Sequence, residues 1–543
     1  MVPLSKSAKG AQAEAGSGMF LRKATGLVRE VSVWDAIVLN SSGMNVGVGV
    51  ALLFLWGAQM PGASILWATI ICTVFVAVTT AYNYAAAAGA FPRSGADYVF
   101  TSRVLGPVWG FMLSGQQVIW NFFWMAFNAW AMANFALPGT LQLIGEFTNN
   151  QGLIDLAGKV TNVWVVVTIA VILQILFSLL HISGLKNYFT YMKITFAICA
   201  LSVVVSIFVL LFGGQNFQAN WNAIMAAKGG LSYQGVIDAA KAAGFDPNAP
   251  FSFTRTLALM PMVFWIVGFF NGSPQIGGEV KKSRSTQFTS MVTATLVNGG
   301  VVALLAILVS RFIGNTFLNS LGYLYFNNAA ILKLGVNPDF NFLVNVVARS
   351  VPVAGLLGIA YVLWATNGTP NIIAFVTRSI LAYSFDRMAP ESMGAVSEKT
   401  HTPVRAIIFT AVMGLVAIVV ILVWQSASLL SSMMAQLFAY LVLSVAAIIF
   451  PYKLPKLWKT QTSARKLFGL PLLTITGVIS VLFIALMSYY FGFYPIFGAN
   501  TPLSLIAVGV TIVISALYYY IYRAYQKSHG VDVDLAFKEI PPE

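Results

Sequence analysis

Ser42-Gly43-Met44-Asn45-Val46-Gly47-Val48-Gly49-Val50 lies midway along the first long apolar segment, residues 33 to 57. Three glycines fall within seven residues, and each disfavours a helix interior by about 1 kcal/mol relative to alanine. In hydrocarbon, an opened helix must find new partners for its freed N–H and C=O groups. Two readings follow. Gly43 and Gly47 have the spacing of a GxxxG face, which lets a second helix approach closely. Alternatively the helix is broken, and its exposed amides hold an anionic group near the bilayer midplane.

Working outward, the chain has 543 residues, 58% hydrophobic and 9% charged. Soluble proteins carry roughly 25% charged residues. Apolar runs recur at 33–57, 64–89, 107–136, 162–182, 187–212, 256–277, 287–312, 350–384, 404–424, 429–450, 471–492 and 502–523. Runs of about 20 residues are long enough to cross about 30 Å of hydrocarbon. The expected fold class is therefore an all-α polytopic membrane protein of about twelve transmembrane helices. The first 30 residues hold no apolar core, so no cleavable signal peptide is expected. Cys72 and Cys199 fall inside spans, where a disulfide is not expected.

Of the 31 Lys and Arg residues, 24 fall in segments that share one side of the membrane. The positive-inside rule then makes both termini cytoplasmic. These cations are scattered over seven segments and suit anionic headgroups of the lipid bilayer. They form no stripe of the kind nucleic acid requires. His181, His401 and His529 are far apart, and no metal-ligand spacing, nucleophile elbow or phosphate loop is present. Neither an enzyme nor a cofactor is expected.

The sixth span contains a second interruption, Gly268-Phe269-Phe270-Asn271-Gly272-Ser273-Pro274. Two Gly/Pro-interrupted helices in matching positions of two five-helix halves point to an inverted-repeat transporter. The third span carries Trp120, Asn121, Trp124 and Asn128 on one helical face. Such polar positions either bond between helices or line a cavity. Asp35 sits in the first turn of the first span, where a carboxylate suits the helix N-terminus. Residues 213–254 and 313–345 read as long polar loops with short amphipathic pieces such as 327–334.

Four loop motifs carry a family resemblance. Phe91-Pro92-Arg93-Ser94-Gly95-Ala96-Asp97-Tyr98 precedes Gly106-Pro107, and His181-Ile182-Ser183-Gly184-Leu185-Lys186 closes the fourth span. Gly278-Glu279-Val280-Lys281-Lys282 follows the sixth. Arg378, Ala382, Asp386 and Pro390 keep a fixed spacing after the eighth, followed by Thr402-Pro403. Over residues 31–450 the chain resembles the amino acid–polyamine–organocation superfamily. It departs from the family pattern at Ala96, Asp97, His181, Lys282, Ser283, Phe385 and Arg387.

The resemblance implies a LeuT-type 5+5 inverted repeat plus two accessory helices. Residues 1–30 would be a basic cytoplasmic arm, 31–212 the first repeat, 213–255 an extracellular loop and 256–450 the second repeat. Residues 451–470 would be a basic linker, 471–523 the accessory pair and 524–543 a cytoplasmic tail. The implied function is secondary active or exchange transport of a neutral amino acid by alternating access. Asn45, Val46, Gly47, Val48 and Gly49 would hold the substrate carboxylate; Val48 lacks the family's hydroxyl but keeps the N–H. Carbonyls of the sixth span from Ile266 through Val267 and Gly268 to about Phe269 would hold the ammonium. Trp120, Asn121, Asn128, Asn271 and Asn371 would line the site, with Trp265 as an aromatic lid. Glu279, Arg378 and Asp386 would form a cytoplasmic gate.

Candidates for ion coupling, by H+ or Na+, are Lys193, Thr366 and Thr369. Lys193 also reads as a snorkelling interface residue, and the hydroxyls as bonded to their own preceding turn. Proton coupling, sodium coupling and exchange stay open, as does oligomeric state. A polyamine, organic amine or nucleobase carrier of the same fold is the alternative, and a non-transporting membrane sensor or scaffold is the alternative of another class.

Overall fold

The computed structural model describes residues 27–424, 433–461, 463–494 and 502–539. Among them, ten helices are long and apolar enough to cross a membrane. Two further spans complete the twelve runs read from the sequence. Pro107–Ala131 is long but diluted by Gln116, Gln117, Asn121 and Asn128, and Phe253–Val267 is short. The protein is an all-α polytopic membrane protein. Apolar side chains that face outward, such as Trp164, Phe212 and Leu482, meet hydrocarbon.

The first span is two helices, Val33–Met44 and Val46–Gly57, joined through Asn45 at φ 49°, ψ 55°. This left-handed conformation costs most L-residues about 1–2 kcal/mol, and Asn is among the few that adopt it routinely. Asn45 also caps the second half: its Oδ1 accepts from the Val48 N–H at 3.4 Å and its carbonyl from the Gly49 N–H at 3.0 Å.

The sixth span stops at Val267, runs unwound through Gly268–Asn271, and resumes as the single turn Gly272–Gln275 and the 3₁₀ turn Gly277–Glu279. The eighth span, expected as one helix over 350–384, is Val351–Thr366 and Gly368–Phe385 with Asn367 between them. Pro370 in the first turn of its second half lacks the N–H that a continuous helix would use.

The polar stretches expected as loops are largely helical: Phe217–Lys228, Tyr233–Ala242, Asn315–Asn328 and Phe340–Ala348. Each buries apolar residues, among them Trp221, Val236, Phe317 and Leu343. The basic linker holds a short helix, Pro455–Lys459, and the antiparallel strands Lys466–Leu467 and Leu470–Pro471, with Lys466 opposite Pro471.

Both described ends of the chain meet one end of the bundle, here called the terminal face. Val31 bridges Val280, and Arg103 donates to the carbonyls of Ala536 and Glu539, each at 3.2 Å.

Candidate functional site

The two interruptions face each other. A Cβ on Gly43 would stand 2.9 Å from the Phe269 carbonyl oxygen, so only glycine permits this approach of the first span to the unwound segment. Beside it lies a cavity of about 40 Å³, lined by Gly43, Met44, Asn45, Val48, Gly49, Trp124, Phe127, Asn128, Trp265, Phe269 and Gly368, among others. No lining residue carries a charge. At the Asn45 turn, the amides of Val46 and Gly47 have no carbonyl of their own helix to bond, whereas that of Val48 is taken by Asn45 Oδ1. An anion there meets N–H groups and the positive end of the helix dipole.

Aromatic rings make one wall. Trp124 stacks on Phe127 (centroids 4.7 Å) and Trp120 (5.1 Å), and meets Trp265 edge-on at 6.2 Å. Trp120 in turn stacks on Phe269. Asn128 donates to Thr369 Oγ1 at 3.5 Å, and Gly368 is small because Asn128 occupies the space where a Cβ would lie.

The structure thus brings Asn45, Val48, Gly49, Asn128 and Trp265 to one cavity. Val46 and Gly47 line a separate space of about 20 Å³ with Tyr361 and Trp364. The glycine spacing is consequently split: Gly43 admits the Phe269 carbonyl, Gly47 the Trp364 ring and Gly49 the Ile266 side chain. Close packing accounts for Gly47 and Gly49, and the opened turn sits at Asn45.

The other expected residues have partners elsewhere. Asn121 donates to the Gln117 carbonyl of its own helix at 2.8 Å. Ile266 and Val267 are buried. The Gly268 carbonyl accepts from the Tyr440 hydroxyl. Asn271 donates to the Tyr84 hydroxyl at 3.4 Å, and Asn371 Oδ1 accepts from Tyr188 at 2.7 Å. The Thr366 hydroxyl donates to the Val362 carbonyl at 3.0 Å. Lys193 pairs with Asp35 at 3.1 Å on the terminal face. His181 bonds the Pro370 carbonyl at 2.8 Å, so its acceptor lies in the eighth span and not in a loop.

The three expected gate residues form two separate pairs. Arg378 reaches Glu279 with Nη2 at 2.8 Å and Nε at 3.3 Å, both side chains buried. Asp386 pairs bidentately with Arg103 at 2.6 and 2.7 Å. Arg103, Phe127 and Tyr440 complete these arrangements without having been among the expected site residues. Trp124 shares the helical face of Trp120 and Asn128, which was a usable signal; nothing in sequence links Arg103 to a residue 283 positions away.

A larger cavity of about 260 Å³ opens at the opposite end, lined by Gln142, Asp339, Asn341, Asn345 and Tyr361 among others. Burial pushes the Asp339 carboxyl up to about 6, although the Phe342 N–H bonds its Oδ1 at 3.0 Å. The smaller cavity is the candidate site because the breaks of the first and sixth spans meet at it.

Interrupted helices around an uncharged, aromatic-walled space within a helical bundle define a membrane transporter architecture. Residues 31–517 match the amino acid permease family, and the chain belongs to it. The match runs into the last long helix, Pro502–Ser528. No curated protein gives a match to the chain. Membership makes it a multi-pass transporter of amino acids or related organic cations.

Proposed function

We propose that the protein moves a neutral amino acid across the membrane by alternating access, by exchange or coupled uptake, with both termini cytoplasmic. The substrate carboxylate sits at the Asn45 turn and its ammonium at carbonyls of the unwound sixth span, Phe269 foremost. The observation that carries this reading is the cavity shared by two helix breaks and lined by no charged residue. A zwitterion needs no ionic side chain where helix ends supply both partial charges. A polycation would want carboxylates, which the lining lacks. The cavity has room for about one water molecule. Trp124, Trp265 and Phe269 therefore have to swing aside to admit substrate.

The test is counterflow in proteoliposomes loaded with a mixture of neutral amino acids, using each labelled amino acid outside in turn. Saturable accumulation of at least one supports the reading. Accumulation of only a polyamine or nucleobase would reassign the substrate, and accumulation of nothing would remove transport.

A further inference from the structure

Asp97 is 1% exposed, and among the described residues it is the one buried carboxylate of the terminal face without a cationic partner. Its partners are neutral donors. Oδ2 accepts from the Tyr84 hydroxyl at 3.0 Å and from Gln275 Nε2 at 2.9 Å, and Oδ1 accepts from the Tyr98 N–H at 2.8 Å. The titratable groups around it are phenols: Tyr84 of the second span, Tyr98 of its own helix, Tyr383 of the eighth span and Tyr440 of the tenth. Of the arginines on the terminal face, Arg103 pairs with Asp386 and Arg378 with Glu279, and Arg93 of the same loop donates to the Pro92 carbonyl at 3.1 Å.

The position matters as much as the burial. Gln275 ends the turn that follows the break in the sixth span. Its carbonyl accepts from the Gly95 N–H at 2.9 Å, and Ser94 bridges Ile276. Tyr84, the second partner, also accepts from Asn271 at the end of the unwound segment. Asp97 thus fastens the 93–97 loop to the sixth span just past its break. Gln275 Oε1 is buried and has no partner. Turned over, that amide offers an acceptor to a protonated Asp97. One site can therefore serve both forms of the acid.

We propose that Asp97 is a proton-binding site, and that it gives up its proton when the 93–97 loop parts from residues 275–277 to open the terminal face. This rests on the transport reading above. With the face shut, burial raises the Asp97 carboxyl above its ordinary range against the pull of its hydrogen bonds. Once the loop parts, water reaches it and the ordinary value returns. The group binds its proton more tightly when shut, so acid favours the shut state and neutral pH the open one.

Two measurements test this. In infrared difference spectra between about pH 8 and about pH 5, wild type gains the carbonyl band of a buried carboxylic acid that Asp97→Asn lacks. Identical bands in both proteins would overturn the proposal. In counterflow at equal pH on both sides, the wild-type rate falls by up to about tenfold per pH unit below its midpoint, whereas Asp97→Asn stays flat. A flat wild type, or an equal fall in Asp97→Asn, would overturn it. Absence of counterflow at every pH would sink the transport reading instead, and the infrared result would still decide the proton site. Should Asp97→Asn fail to fold, Tyr84→Phe removes one donor to the charged form and moves the infrared midpoint to higher pH; an unmoved midpoint overturns the proposal.

Discussion

The first and sixth spans are both interrupted, but they are held open in different ways. The first breaks at a single residue, and Asn45 supplies its own left-handed turn and its own cap. The sixth breaks over four residues, Gly268–Asn271, with support from other spans: Tyr440 on the Gly268 carbonyl, Tyr84 on Asn271, and the Arg378–Glu279 pair beyond. A break fixed locally behaves as a rigid element, whereas one fixed by distant side chains changes when those neighbours move. Under the proposed alternating access, this contrast makes the sixth span the part expected to rearrange.

A set of substitutions would sharpen or break the contrast. The largest effect is expected for Arg378→Ala, which leaves Glu279 buried and unpaired at a cost of about 3–5 kcal/mol. Thermal unfolding in detergent should show a large drop in midpoint, and removing both partners (Glu279→Gln with Arg378→Gln) should recover part of it. Gly47→Leu comes next. Its Cβ would lie 2.0 Å from the Trp364 ring, and such overpacking costs about 1–3 kcal/mol. Counterflow should be lost while membrane insertion persists; unchanged counterflow would free Gly47 of any packing role. Tyr440→Phe strips the Gly268 carbonyl of its donor, costing about 1 kcal/mol. Its expected signature is faster amide exchange over 268–271 with no change at 45–49. Smallest is Asn45→Gly, which keeps the left-handed turn and loses only the side-chain cap, a few tenths of a kcal/mol. Asn45→Val should instead behave far worse, because a β-branched residue resists positive φ.

Much of this was legible in the sequence. Hydropathy located all twelve spans, because about 20 apolar residues have few other uses. The polar third span and the short sixth were read among the same apolar runs, 107–136 and 256–277. The turn in the first span was expected within Asn45–Gly49, and the structure puts it at the first of these residues, Asn45, not at the glycines. Glycine serves both close packing and left-handed turns, and sequence alone does not separate the two uses. The eighth span, read as one run over 350–384, is one span over Val351–Phe385, with a right-handed turn at Asn367 whose N–H still bonds the Leu363 carbonyl. The two buried ion pairs were half legible. Arg378 and Glu279 stood out as charges beside spans, but the partner of Asp386 depends on which loop the tertiary fold lays beside it.

Arg103 has a consequence for the order of assembly. It enters with the third span, early in synthesis, yet its guanidinium is completed by Asp386 and then by the carbonyls of Ala536 and Glu539, with the Phe537 ring 5.2 Å away. Those groups emerge after the eighth and twelfth spans. Until then a cation that is buried in the finished protein has to stay hydrated or borrow a lipid phosphate. The terminal face is therefore sealed late in biogenesis, by a segment that follows the last helix.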